Sequence, residues 1–465
     1  MLNGLEATEL KISEVLNQSP TFRIDSDYFR KEFLSFDVGK NAAELRKLCT
    51  IRSGTTPPDR DDELTEGTIL LKTTDIRNCV MASGDTAALY RISDEIASRM
   101  QETALHSSDV LMNIVGATTE VIGRTAFVPS GFPDANITQA MALLRVKGKR
   151  LNPGFLFAYL AGEYGQKQVR RIARPTGQYN LNIPEVGSFK IPLLTKFFQD
   201  SVAERIQKAN ERLEASHSLV GTAQSKLTDA LGLNDWRPDA ASITTRTFCD
   251  ASSAGRFDAE YFRPRYQSLL ALLRRQGKTL HDVARLREDM FTPQPGQPFH
   301  YIEIGDLAAD GAATSHEVPG EEAPSRATWI VQPSDVITST VRPIRCLTGL
   351  IEPEQAENIC SSGFAVLTPK GVPGELLFAY LRLPVICELM DLHTTASMYP
   401  AISTTDLMRL PFLLPDDATI KKVKQQITAA RAARREAHAL LEKAKQAVEV
   451  AIEKNEASAL AYLNK

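Results

Sequence analysis

Cysteine is sparse in this chain, and it is scattered. None of Cys49, Cys79, Cys249, Cys346, Cys360 and Cys387 stands in a C-x-x-C pair, and the seven histidines do not cluster with them. That excludes a disulfide framework and a zinc site as organising features. No apolar run approaches the roughly 18–20 residues a membrane span needs, and the start, MLNGLEATELK, has no basic-then-apolar signal pattern. The chain therefore reads as cytoplasmic. A surplus of positive charge is missing too, because the formal net charge is −3. Affinity for a nucleic acid must then come from local basic faces or from a basic partner.

Catalytic signatures are also lacking. The only Pro-Pro, Pro57-Pro58, lies in Thr-Pro-Pro-Asp, without the aromatic residue of an amino-methyltransferase loop. Gly277-Lys278-Thr279 ends like a phosphate-binding loop, but Leu272 stands where its first glycine belongs. Neither a G-x-S-x-G elbow nor an H-E-x-x-H pair occurs. The expectation is a chain with no catalytic residues, no metal and no cofactor of its own. With 43% hydrophobic and 24% charged residues over 465 positions, it is long enough for two or three packed domains.

What is present is a repeat. Arg23-Ile24-Asp25-Ser26-Asp27-Tyr28-Phe29-Arg30 returns as Arg256-Phe257-Asp258-Ala259-Glu260-Tyr261-Phe262-Arg263. Lys72–Ile76 matches Glu303–Leu307, Ser108-Asp109-Val110 matches Ser334-Asp335-Val336, Leu156–Leu160 matches Leu377–Leu381, and Lys190–Leu194 matches Arg409–Leu413. Order is kept while the offset drifts from 233 to about 220, so one domain has been duplicated, with small insertions and deletions.

Each copy ends in a proline-free stretch with a heptad pattern. In the first, Ile206, Leu213, Val220 and Leu227 form a large row, interleaved with Val202, Ala209, Ser216, Ala223 and Ala230. In the second, Ile427, Arg434, Leu441 and Val448 form the large row, beside Val423, Ala430, Ala437, Ala444 and Ala451, at a constant offset of 221. Small residues let two helices approach closely, and the large ones supply buried area. The expectation is an antiparallel coiled coil relating the copies by an internal pseudo-two-fold repeat. Arg434 interrupts its row, its stem covering apolar surface while its head reaches outward. A coiled-coil homodimer carrying unrelated domains is the alternative. About 30 residues of helix span roughly 45 Å.

The bodies of the copies read as mixed α/β (α+β). Strands are expected at Thr68–Lys72, Asp109–Val115, Arg124–Val128 and Ala140–Val146, and at Phe299–Ile304, Asp335–Val341, Leu347–Ile351 and Phe364–Leu367. Pro153–Tyr164 and Pro373–Leu381 read as short amphipathic helices. The boundaries run as a first domain at 1–195, a central helix at 196–233, a second domain at 234–415, a C-terminal helix at 416–455 and a tail at 456–465.

Two tandem half-chains, each a globular domain plus a long helix, resemble the specificity (S) subunit of type I restriction-modification enzymes. Arg52-Ser53-Gly54-Thr55-Thr56-Pro57 is similar to the glycine-threonine-proline loop that opens that family's target recognition domains. Leu70–Ile76 resembles the strand ending in aspartate that follows, and Thr176–Ile183 with Phe189–Leu194 resembles the late turn and final strand. Copy two departs from the pattern: its first loop is only Phe291-Thr292-Pro293, and its late turn is Ala396–Ile402. The resemblance implies that each domain reads one half of a split, asymmetric double-stranded DNA target. It further implies that the helices act as spacer and dock methyltransferase subunits acting on adenine N6. S-adenosylmethionine and ATP would belong to partner subunits, and a restriction subunit could join.

Candidate DNA contacts are the polar and basic loop residues. In copy one these are Arg52, Thr55, Thr56, Lys72, Thr73, Thr74, Arg77, Asn113, Thr118, Thr119, Arg124, Gln178, Tyr179 and Asn180. In copy two they are Thr338, Ser339, Arg342, Arg345, Ser397 and Tyr399. Arginine pairs with guanine, and asparagine or glutamine with adenine, through two hydrogen bonds each. The basic run Lys167–Arg174 is either a phosphate grip or a solvated helix face. The repeated Arg-apolar-Asp-x-acid-Tyr-Phe-Arg motif is common to both copies, so it cannot distinguish half-sites, and it reads as a packing element with a possible docking role. Two further readings stay open. One is a coiled-coil scaffold whose domains bind proteins. The other is the recognition half of a fused restriction-methylation enzyme, less expected because both repeats are complete and no catalytic segment precedes them.

Overall fold

The computed structural model describes residues 9–18, 23–34, 38–39, 41–61, 64–83, 86, 89–175, 177–237, 241, 243–308, 310–395 and 400–464. The chain divides into two units, Met1–Ala215 with Ala433–Lys465, and Ser216–Ala432. Among the described residues no helix is long and apolar enough to cross a membrane.

In unit 1 the principal sheet runs Cys49–Ser53, Met141–Val146, Val110–Asn113, Thr125–Phe127, Cys79–Val80. Beside it Thr68–Leu71 pairs parallel with Ala135–Ile137 and antiparallel with Arg91–Ile92. Unit 2 repeats this order. Its principal sheet runs Ala284–Leu286, Phe364–Pro369, Val336–Ser339, Thr348–Leu350. There Phe299–Ile302 pairs parallel with Ile359–Ser361 and antiparallel with His316–Val318. The two units thus share one topology; among the described residues Cys79–Val80, Val115–Gly116 and the pair Ala42–Glu44 with Lys190–Pro192 are strands in the first alone, and Ala327–Ile330 in the second alone.

Small features recur with it. Ser108 and Ser334 both adopt the left-handed conformation at φ 71°, which is uncommon for a residue with a side chain. The next residue, Asp109 or Asp335, closes each turn by accepting from the backbone N–H of His106 (2.7 Å) or Gln332 (2.8 Å). The buried Tyr159 and Tyr380 hydroxyls donate to the carbonyls of Lys190 (2.8 Å) and Pro411 (2.9 Å). These bonds tie the helix of each body to the segment that leads into the long helix and satisfy a polar group that would otherwise be costly to bury.

The segments expected to be amphipathic are not. Pro153–Ala161 is buried from Gly154 to Ala161, and Gly374–Leu381 is buried at nearly every position. An even ring of Leu, Phe, Ala and Tyr suits a helix surrounded by protein. The first ends at Gly162, where a new helix, Glu163–Ile172, begins. The strand expected at Asp109–Val115 splits at Ile114, its tail Val115–Gly116 joining the small sheet with Tyr179–Asn180.

The long helices are Lys196–Ala230 and Asp417–Glu453, 35 and 37 residues. The heptad rows fall where spacing placed them except at Ala230, the last residue of the first helix, which is exposed because the row ends there. Val202, Ile206, Ala209, Leu213, Ser216, Ala223 and Leu227 are buried, as are Val423, Ile427, Ala430, Ala437, Leu441, Ala444, Val448 and Ala451, while Val220 and Arg434 are half-buried. In unit 1 the start of the first helix packs in one core with the end of the second. The direction is antiparallel there, because Thr195 N–H meets Glu456 (3.0 Å) while Arg212, further along, pairs with Glu436 (3.0 Å). In unit 2 Ala223 and Leu227 share a core with Val423 and Ile427. Residues 456–465, read from sequence as a tail, carry a helix, Glu456–Leu463, whose Ala459 and Leu463 are buried in the unit 1 core.

Candidate nucleic-acid interface

In unit 1 the loops singled out above are stitched into one rim. Gly54 N–H donates to the Met141 carbonyl and Thr55 N–H to that of Ile137, each at 3.2 Å. A side chain at Gly54 would stand 2.0 Å from the Ile137 carbonyl oxygen, so only glycine permits this approach. Thr138 N–H reaches the Leu71 carbonyl (3.1 Å), and Thr125 N–H reaches Asn78 Oδ1 (2.8 Å). With Val115–Gly116 paired to Tyr179–Asn180, the segments 52–56, 72–78, 113–125 and 177–180 lie together.

Within that rim Arg52, Thr55, Lys72, Thr74, Thr118, Thr119 and Gln178 are exposed, and Thr56, Thr73, Arg77, Arg124, Tyr179 and Asn180 are half-buried. Several already have partners. Arg52 Nε lies 3.4 Å from Glu102, and the Lys72 ammonium sits 3.7 Å above the Tyr90 ring. Arg124 Nε donates to the Glu120 carbonyl (2.8 Å), and Asn180 Nδ2 to that of Gln178 (3.0 Å). Asn113 is interior: its Nδ2 donates to Thr73 (2.9 Å) and Val121 (3.2 Å), while Oδ1 is buried with no hydrogen-bond partner among the described residues. It braces two loops of the rim and does not face solvent.

Sequence reading passed over one member. Glu120 is exposed, and although burial acts to raise its pKa, hydrogen bonds from Thr118 and Thr119 outweigh that and hold the carboxyl below its ordinary value. A fixed carboxylate repels phosphate, but it can accept from the amino group of cytosine.

Unit 2 builds its loops with other residues. Thr338 and Ser339 are buried, Thr338 sharing a 2.7 Å hydrogen bond with Thr348, and Ser339 donating to the Val341 carbonyl (2.8 Å). Their hydroxyls serve the sheet. Arg342 is half-buried in the left-handed conformation at φ 49°, its N–H donating to Pro400 (2.8 Å), and Arg345 is exposed. Ser397 and Tyr399 lie outside the described residues.

The basic run Lys167–Arg174 is largely committed to the domain. Lys167 and Arg170 pair with Glu163 (3.6 and 2.8 Å), and Arg174 pairs with Glu185. Arg171 lies 4.5 Å from the Tyr28 ring centre and donates to the Tyr28 carbonyl (3.1 Å).

Tyr28 belongs to the repeated motif, which proves to be a clasp. Arg23 pairs with Asp25 (2.7 Å), lies over the Tyr28 ring (5.0 Å) and donates to the carbonyl of Ile172, the last residue of its helix (2.6 Å). Arg256 pairs with Asp258 (2.7 Å), lies over Tyr261 (4.9 Å) and donates to the carbonyl of Leu392, again a last helical residue (2.9 Å). A guanidinium suits a helix C-terminus, where carbonyls lack intrahelical partners and the dipole is negative.

No family model matches the chain, and no curated sequence does. Among solved structures it is similar to a type I restriction-modification S subunit from M. genitalium, at 12% identity and TM-score 0.32, over 92% of this chain and 97% of that one. It is also similar to a chain from a structure of the type I R-M system described for its assembly and conformational transition, at 17% and 0.29, over 89% and 97%. A third is the HsdS subunit from Thermoanaerobacter tengcongensis, at 17% and 0.28, over 89% of this chain and 96% of that one.

Proposed function

We propose that this chain is the DNA-sequence-reading subunit of a type I restriction-modification complex. One observation carries the proposal. Two units of one topology keep the same framework, namely the clasp, the buried aspartate turn and the tyrosine tie, while their polar loops differ in length and residues. A duplicated frame with divergent edges suits a protein that meets two different stretches of one polymer. Each unit reads one half of a bipartite, asymmetric target. In unit 1 the exposed Arg52, Lys72 and Gln178, with Glu120, offer the donors and acceptors that base edges discriminate.

The seamed long helices act as spacer and dock adenine-N6 methyltransferase subunits, which bring S-adenosylmethionine. An ATP-driven restriction subunit joins that complex. This chain contributes recognition and no chemical step. The test is a map of methylated adenines in host DNA with and without this gene. A split motif methylated only when the gene is present supports the proposal, and an unchanged map refutes it.

A further inference from the structure

Corresponding positions in the two units make the same bridge between a body helix and a rim loop, with different chemistry. In unit 1 Gln166 Nε2 donates to the Leu160 carbonyl (2.8 Å) and to that of Gly123 (3.0 Å), fastening the loop before Thr125–Phe127 to Glu163–Ile172. In unit 2 the position matching Gln166 is Cys387, whose thiol donates to the Leu381 carbonyl (3.3 Å), the match of Leu160. The position matching Gly123 is Cys346, whose thiol donates to the Ile344 carbonyl (3.5 Å) and lies within hydrogen-bond reach of the Cys387 thiol.

The backbone repeats as well, because Gly123 has φ 76° and Cys346 φ 54°. Glycine adopts that conformation freely, whereas a cysteine there is sterically strained. A β-carbon at Gly123 would point at Val169 of the facing helix, so this position directs a side chain at the helix. A strained, half-exposed cysteine thus stands beside a buried one and brings two oxidisable sulfurs together.

We infer that Cys346 and Cys387 form a reversible disulfide, an oxidative modification site that fastens the segment carrying Arg342 and Arg345 to the helix Pro384–Leu392. The oxidant is a peroxide. Cys346, the more accessible thiol, attacks as thiolate. An S–O bond forms, the O–O bond breaks, and hydroxide leaves, giving a sulfenic acid. The Cys387 sulfur then attacks that sulfur and loses its proton. The S–S bond forms, the S–O bond breaks, and the oxygen departs as water. Two thiols are oxidised and one peroxide is reduced to two waters. The hydrogen bond with Cys346, and then burial, hold the Cys387 thiol protonated, so it is not the first to react; its proton passes to the departing oxygen as its sulfur attacks the sulfenic acid. Cys49 and Cys360 are buried with thiols pushed well up, Cys49 to about 12, so neither is the first to react.

The inference is independent of the proposed function. Its test uses the full-length chain with the exposed Cys249 changed to serine, treated with hydrogen peroxide and digested without reductant. The expected result is a peptide pair joined through Cys346 and Cys387 that a reductant separates, together with slower trypsin cleavage after Arg345 in the oxidised protein. Cys346→Gly installs the residue unit 1 uses there, so it folds, shows no linked pair and is cleaved at the same rate with or without peroxide. Absence of the linked pair from folded, peroxide-treated protein overturns the inference, as does cleavage after Arg345 that oxidation leaves unchanged.

Discussion

Units 1 and 2 bury the same aspartate and neutralise it from different strands. Asp109 takes two hydrogen bonds from Arg145 (2.8 and 2.7 Å), one strand away. Asp335 has Thr368 at the matching position, bonded at 2.7 Å, and its guanidinium comes from Arg287 (2.6 Å) on the segment beyond. Arg287 matches Arg52, whose ion-pair partner among the described residues is the exposed Glu102. Moving the internal ion pair to Arg145 thus releases Arg52 to the rim, while in unit 2 the same arginine is spent on the interior. Framework electrostatics decide which arginines the rim has available.

That contrast is sharpest in a pair of substitutions. Arg145→Ala leaves Asp109 buried without its guanidinium and costs about 3 kcal/mol, seen as lost hydrogen-exchange protection in the unit 1 sheet. Thr368→Ala removes one hydroxyl from Asp335 and costs about 1 kcal/mol. Equal losses would mean that the two aspartates are held alike. Next in size are Arg23→Ala and Arg256→Ala, each removing a charged hydrogen bond to a helix end at about 2 kcal/mol. Each should loosen its own unit and leave the protection of the other unchanged.

The smallest effect separates the clasps by pH. Tyr28 is flanked by Arg171, whereas Tyr261 is packed by the His393 ring, 5.8 Å between centres. Burial, opposed by the hydrogen bond with Leu389 and helped by Arg256, lowers the His393 pKa below its ordinary value. The folded state therefore prefers the neutral ring. This contribution is complete above the unfolded value of about 6.5 and is lost as pH falls below it. A guanidinium does not titrate in that range. Amide protection around Tyr261 should fall between about pH 7.5 and about pH 5.5 while that around Tyr28 holds, a difference that His393→Arg abolishes.

The duplication and the seam were legible because both are periodic: matched motifs in one order, and apolar residues every seven. Burial at Ala209, Leu213, Ala430 and Leu441 follows from spacing alone. The rim was legible as a set of loops but not side chain by side chain. Asn113 and Ser339 end their strands and Thr338 stands next to such an end, where a polar residue faces inward or outward according to which strand lies beside it, and sequence spacing does not carry that. The correspondence of Gly123 with Cys346 was hidden because the residues share only a backbone conformation. The run Lys167–Arg174 looked like free charge because Glu163, Glu185 and Tyr28 approach it through the fold.

Exchanging residues 42–192, the body of unit 1, for the matching body from a chain of different target tests the central claim most directly. Methylated adenines are then mapped in a host carrying the exchanged chain. The account requires one half of the split motif to change while the other half and the gap stay as they were. Change in both halves, or in neither, would contradict it.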